Sequence, residues 1–274
     1  MNDLLSRVGG LPGFFVEIAR LCVWLAILAA IFIPLERLWA VHKQKITRKA
    51  LLLDVSYYFL NSLLMTLFLA LPFAAIAWGL NKIVPAGIQA FAGGMPPLAR
   101  FLAAIVVGEI GGYWGHRLLH EVPALWRFHA MHHSATEIDF MVNCRAHPLD
   151  LTFTRMCGYI PLYILGLSQP FSGVADPAFM GFIVVGTIWS FFIHANLGWR
   201  FGWLEHLLVT PAYHHWHHTK HDHRDHNYAT VLPWVDRLFG THYLPKGEWP
   251  AEYGSDTKVP DTLPAQLVFP FRRD

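Results

Sequence analysis

Apolar residues in this chain run in long blocks rather than alternating with polar ones. Residues 14–33 are almost continuously apolar, interrupted by Glu17 and Arg20 and closed by Pro34. Residues 51–80 form a longer block with aromatics and Asn61 inside it, and residues 98–115 lead straight into His116. Residues 151–167 and 178–197 make two more, separated by a Ser/Gln/Pro/Gly-rich turn at 168–177. Crossing hydrocarbon takes about 20 apolar residues in a helix. The first, second and last blocks meet that length, and the third does if its histidine-bearing end protrudes. Residues 151–167 are short and carry Arg155, so they read equally as a span, a re-entrant helix or an interfacial one. The predicted fold is all-α: an integral membrane helical bundle of about 4–5 membrane helices with a polar helical cap from about residue 198.

Charge orients this bundle. The 36–49 connection holds Arg37, Lys43, Lys45, Arg48 and Lys49, whereas the 81–97 connection holds only Lys82. Lys and Arg mark the cytoplasmic side, which places the N-terminus outside and brings both the end of the third block and residues 198–274 to the cytoplasmic face. The first block lacks a basic leader and a small-residue cleavage site, so it reads as an anchor and not as a removable signal. Composition agrees: 54% of residues are hydrophobic and 15% charged, against about 25% charged in soluble domains. A net charge of +2 is far from the basic excess of nucleic-acid binding. Cys22, Cys144 and Cys157 form no framework and read as small buried hydrophobes. No internal repeat, G-x-G-x-x-G or P-loop occurs, so residues 1–274 read as a single domain with N-terminal membrane helices at 14–97 and a C-terminal tail at 244–274.

The candidate chemistry lies in the histidines. Of 17, most fall within residues 116–147 and 206–226. The first block holds His116 and His120, then His129, His132 and His133; the second holds His214, His215, His217 and His218. Positions i, i+3 and i+4 share a helix face, so His116/His120, His129/His132/His133 and His214/His217/His218 are each expected to point together. Eight imidazoles exceed one tetrahedral zinc and suit two adjacent metals, while ligand softness leaves iron, copper, zinc and nickel open. His194 ends an apolar helix, where an ionisable group is expensive and functional by default, and becomes the ninth candidate. The set is therefore His116, His120, His129, His132, His133, His194, His214, His217 and His218. His215 is turned about 100° from its neighbours and is read as supporting the ligands. His147 is open between ligand, support and loop residue. Glu121, Asp139, Asp225 and Asp236 are candidates to accept the second N–H of a ligating ring. His42, His206, His221, His223, His226 and His242 have no ligating spacing. A zinc-protease motif fails, because His120-Glu121 is followed by Val122-Pro123-Ala124, and there is no G-x-S-x-G nucleophile elbow.

These elements, taken in order, resemble the fatty acid hydroxylase/sterol desaturase superfamily of membrane-bound di-iron oxygenases. The matching residues are His116–His120, His129–His133 and His214–His218, followed by Asp225-His226-Asn227-Tyr228-Ala229 and by Trp234-Val235-Asp236-Arg237-Leu238-Phe239-Gly240-Thr241. The resemblance covers roughly residues 100–243, with 98–243 as the catalytic region, and the spacing is most similar to the branch containing alkylglycerol monooxygenase. It adds Asn227 to the supporting set. Fatty-acid 2-hydroxylases carry a further histidine four residues after the one ending the last membrane helix; here that position is Gly198.

The resemblance implies two iron ions, O2 as co-substrate and oxidation of an unactivated C–H bond in a membrane lipid. Hydroxylation is the default outcome, with desaturation, demethylation and ether cleavage on the same centre. No haem, flavin or iron–sulfur motif is present, so a separate reductase or electron carrier is expected. The alternative class is a membrane metal transporter or sensor. Ionisable ligands at the bilayer midplane would favour it, but the histidines gather at one end, and residues 51–80 offer only Asp54 and Asn61.

Overall fold

The computed structural model describes residues 13–167, 177–221 and 223–272, with the side chain of Ala178 excepted. Nearly all of the turn expected at 168–177 lies outside the described residues. Among the described residues the chain is all-helical, and its one β-type pairing is an isolated bridge between Thr219 and Tyr253.

Helix α1 spans Gly13–Trp39 and α2 spans Leu51–Leu80. Both are long and apolar enough to cross a membrane by length and composition. At 1.5 Å per residue they reach about 40 and 45 Å. They expose Trp24, Leu52, Leu71 and Trp78, as a lipid-facing surface would. Pro34 does not end α1, which continues to Trp39. Proline inside a helix costs one backbone hydrogen bond, and apolar helices with packed neighbours tolerate it. Cys22 is exposed on α1 rather than buried, because that helix leaves most of its surface uncovered.

A short helix α3, Ala86–Gly93, interrupts the second connection. Helix α4, Pro97–Glu121, carries the first histidines at its C-terminal end. It packs most extensively on α6, Pro148–Ile164. Small residues make the contact possible: a Cβ on Gly111 would lie 2.2 Å from the Cys157 carbonyl oxygen. α6 also packs on α2, and α4 on α7, Pro177–His194. These four helices form the scaffold. Of them only α2 meets the length and hydropathy of a full span; α7 is apolar but shorter.

Five of the described helices begin on a proline, at Pro97, Pro123, Pro148, Pro177 and Pro211. Proline fits there because its missing N–H is unpaired in any helix and its φ is already helical. Helix α5, Pro123–His129, and α8, Pro211–His217, are only 7 residues each, so their histidines stand at helix ends. Helix α9, Trp234–Phe239, closes on Gly240 in the left-handed region at φ 77°, the usual glycine stop. Helix α10, Leu263–Val268, lies in the tail. The tail is no loose appendage: Gln266 accepts from Tyr57 Oη at 2.9 Å on α2, and Gly254 N–H donates to the His218 carbonyl at 3.3 Å.

Candidate metal centre

All nine candidate histidines are buried, with at most 9% of any one exposed. They form two groups, His116/His120/His129/His133/His217 and His132/His194/His214/His218, each with its nitrogens within 4.8 Å of one another. The groups abut: the rings of His133 and His218 stack at 4.6 Å between centroids.

The shared-face expectation needs correction. His129 ends α5, and His132–Ser134 is a separate 3₁₀ turn, so that trio is not on one α-helix. His129 and His133 face the first group while His132 faces the second. Likewise His214 and His218 face the second group and His217 the first. In each H-x2-HH block the i, i+4 pair stays together, and the i+3 ring is passed to the neighbouring group.

Backbone carbonyls set the tautomers. His116 Nδ1 lies 2.8 Å from the Tyr228 oxygen, His217 Nδ1 2.8 Å from that of His226, His132 Nδ1 3.0 Å from that of Arg145, and His194 Nδ1 2.7 Å from that of Ser190. A carbonyl can only accept, so each Nδ1 carries the proton and each Nε2 of a neutral ring presents a lone pair. Yet the Nε2 atoms of His132 and His194 lie 3.2 Å apart, and so do those of His116 and His129, whose Nδ1 faces the Asp150 carboxylate at 2.9 Å. Two bare lone pairs facing each other repel unless a cation lies between them. Protonation is opposed: burial, reinforced by neighbouring imidazoles, pushes His132, His133, His214, His217 and His218 well below the ordinary histidine range. Nitrogens bound to one metal at about 2.0–2.1 Å would stand about 3.0–3.4 Å apart, which is the spacing found. His120 Nε2 is buried with no hydrogen-bond partner, as are the Nδ1 atoms of His133 and His214. The donor set fits metal ions.

The supporting residues divide differently from the sequence expectation. Asp225 accepts from His120 Nδ1 at 3.0 Å, as anticipated. Asp236 acts one step away: it accepts from the Tyr228 and Ala229 N–H groups at 2.8 Å each, and so holds the carbonyl that orients His116. Asn227, left-handed at φ 59°, spans Tyr213 and Tyr243 through its amide and frames the second block. His215 touches none of the clustered rings by hydrogen bond. It bridges Tyr253 Oη at 2.8 Å and the carbonyl of Ala195, the residue after His194, at 3.1 Å. His147 is the cap of α6, its Nδ1 accepting from Leu149 N–H at 3.1 Å. Glu121 is turned outward onto Arg117 at 2.7 Å, a pairing that its i, i+4 spacing favours. Asp139 pairs with Arg48 instead of an imidazole. His42 is tied to the Pro250 carbonyl at 3.1 Å and is not a free surface group. Gly198 donates its N–H to Trp39 at 2.7 Å and packs against the end of α1.

Three contributors lie outside the set expected from the sequence. Asp150, in the first turn of α6, accepts from His129 Nδ1 at 2.9 Å. Arg145, whose carbonyl holds His132, is locked by its guanidinium to Asp54, which also binds Arg48. Glu109, inside the apolar part of α4, accepts three successive N–H groups from Thr230, Val231 and Leu232 at 2.7–3.0 Å. It thereby pins the loop after Tyr228. The proline at the start of α6 was a visible marker for Asp150, since it makes Asp150 a first-turn residue.

Residues 101–241, about half of the chain, match the fatty acid hydroxylase family. The chain belongs to that family. As a fatty acid hydroxylase family member it is 35% identical to ornithine lipid hydroxylase OlsE of Rhizobium tropici over 182 residues, 65% of this chain and 52% of that protein. It is 31% identical to alkylglycerol monooxygenase of Homo sapiens over 134 residues, 48% of this chain and 28% of that protein. It is 26% identical to Delta(7)-sterol 5(6)-desaturase ERG3B of Gibberella zeae over 145 residues, 53% of this chain and 42% of that protein. The matches thus span about half the length of these relatives or less. No solved structure matches the chain.

Proposed function

We propose that this family member is an O2-dependent membrane oxidoreductase that hydroxylates a C–H bond of a lipid at a centre of two iron ions. The carrying observation is the convergence of nine buried imidazoles into two abutting groups, with Nε2 lone pairs facing one another in the His132–His194 and His116–His129 pairs. His116, His120, His129, His133 and His217 would hold one ion, and His132, His194, His214 and His218 the other. Iron bound there would supply O2 activation, the hard chemistry that side chains cannot perform. The names of the relatives, a lipid hydroxylase, an alkylglycerol monooxygenase and a sterol desaturase, support a lipid substrate and oxidative chemistry.

The chain's own residues bind, orient and dehydrate. Carbonyls of Tyr228, Arg145, Ser190 and His226 and the carboxylates of Asp150 and Asp225 fix the ring orientation before metal arrives, which raises ligand basicity and avoids reorganisation. Trp126 covers the first group, its ring 5.1 Å from His120 and 5.5 Å from His133, and the tail is tied over it by a Trp126–Thr257 hydrogen bond of 3.0 Å. Electrons are supplied by a separate reductase or carrier protein. The apolar blocks favour a multi-pass topology of 4–5 spans, and the five cations between residues 36 and 49 favour the centre on the cytoplasmic side.

Comparative lipidomics of cells with the intact chain and with His133→Ala tests the activity. A lipid class gaining one oxygen atom only with the intact chain is expected. Identical lipid profiles under aeration, with the protein present and iron-loaded, would refute the proposal.

A further inference from the structure

A cavity of about 460 Å³ opens between α1 and the start of α2, lined also by Phe140 and Met141 and by none of the clustered histidines. That volume is in the range of small-molecule sites, about 300–1,000 Å³. One end is apolar. Leu25, Ala29 and Ile33 line it from α1 at i, i+4 and i+8, and Val55 faces them from α2, so an extended hydrocarbon chain would lie along two helices already exposing apolar surface. The other end carries Arg37, Lys43 and Lys45.

The charges in the lining are unbalanced in a specific way. Its two carboxylates are engaged within the protein. Glu36 accepts the Phe140 and Asn196 N–H groups at 2.8 and 3.0 Å. Asp139 is bidentate with Arg48 and accepts Met141 N–H at 2.9 Å. Among the described residues neither Arg37, Lys43 nor Lys45 has a carboxylate partner; Arg37 reaches only the Gln44 carbonyl, at 3.5 Å. Lys49, in the same connection, points elsewhere and meets Asp261 at 3.4 Å.

We infer that this cavity binds an anionic phospholipid, its phosphate among Arg37, Lys43 and Lys45 and an acyl chain along the α1–α2 face. The inference does not rest on the metal chemistry. A diffuse attraction of basic loops to anionic membrane, about 1 kcal/mol per cation near the surface, would treat every lysine of the connection alike. A built site singles out those on its rim. It also requires the apolar slot, which charge alone does not.

The full-length protein in detergent, titrated with phosphatidylglycerol, phosphatidylcholine or inorganic phosphate and read by native mass spectrometry, tests this. One retained phosphatidylglycerol per chain is expected, with little phosphatidylcholine. Lys43→Gln with Lys45→Gln should weaken retention about tenfold or more, following the per-cation magnitude, while Lys49→Gln leaves it unchanged. Ala29→Phe, which keeps every charge and narrows the slot, should also release the lipid. Equal retention of the two lipids, equal loss with Lys49→Gln, or unaltered binding by the Lys43/Lys45 variant would overturn the inference. Displacement of the lipid by inorganic phosphate at equal concentration would make this a phosphate site and overturn it as well. Circular dichroism of each variant confirms that its helices are intact.

Discussion

His217 and His218 are adjacent in the chain, yet their rings stand 88° apart and serve different groups. His217 meets His133 through their Nε2 atoms at 3.1 Å, and His218 meets His214 at 3.2 Å. Because α8 ends at His217, the next residue leaves the helical path. One H-x2-HH block thus feeds both histidine groups and ties them together through the chain.

Replacing His217 by alanine should therefore empty the first position and disturb the second through the shared turn. Iron per protein and product formation should both collapse, with the helices intact by circular dichroism. His206→Ala should change neither, since His206 lies outside both groups and its Nδ1 contacts Arg237 at 2.6 Å. Full iron loading without His217 would show that its ring is not a ligand.

Asp150 and Asp225 both accept from a clustered imidazole, but Asp150 is buried and Asp225 has a 53% exposed side chain. Water can replace Asp225 and cannot easily replace Asp150. Asp150→Asn should weaken metal binding by about 10–100-fold, the usual range for such partners, and Asp225→Asn by clearly less. Competitive metal titration against a chromogenic chelator gives both values; a reversed order would contradict the burial argument.

The convergence of these nine histidines was legible because i, i+4 spacing is local and apolar helices deliver their ends to one level. Their partition was not. It depends on where α5 and α8 stop, and helix ends in 7-residue segments are set by packing as much as by sequence. The partners of the carboxylates are equally non-local or are set by competing cations. Glu121 has a cation one turn away in Arg117, and Asp139 is claimed by Arg48, 91 residues distant. Asp150 and Glu109 act across 21 and about 121 residues, separations that no local pattern reports. The all-helical character followed from the apolar blocks, whereas Pro34 was given more helix-breaking power than an apolar helix grants it.

Asp54 carries a prediction about stability. It is fully buried and paired with both Arg48 and Arg145. Asp54→Ala leaves Arg145 without its carboxylate and Arg48 with Asp139 alone, and should cost about 3–5 kcal/mol, as breaking buried pairs does. A lowered melting temperature with weakened metal retention is expected, because the Arg145 carbonyl orients His132. An unchanged melting temperature would mean that the network is not stabilising.

Metal removal should expose a pH dependence. In the folded chain burial holds His132, His133, His214, His217 and His218 well below the ordinary value of 6.5, while in the unfolded chain they titrate near it. Below about pH 6.5 the unfolded state binds more protons, so stability is full above that pH and falls as pH drops. Chelated protein should melt progressively lower from neutral toward acid. A flat or rising melting temperature over that interval would contradict buried neutral rings.

The central claim is tested most directly by counting iron. Protein purified from membranes after anaerobic iron loading should hold two iron ions per chain by elemental analysis. His194→Ala, which removes a ring from the second group alone, should lower that ratio toward one. A wild-type ratio of one, or a single four-coordinate zinc, would contradict a two-metal oxygenase centre.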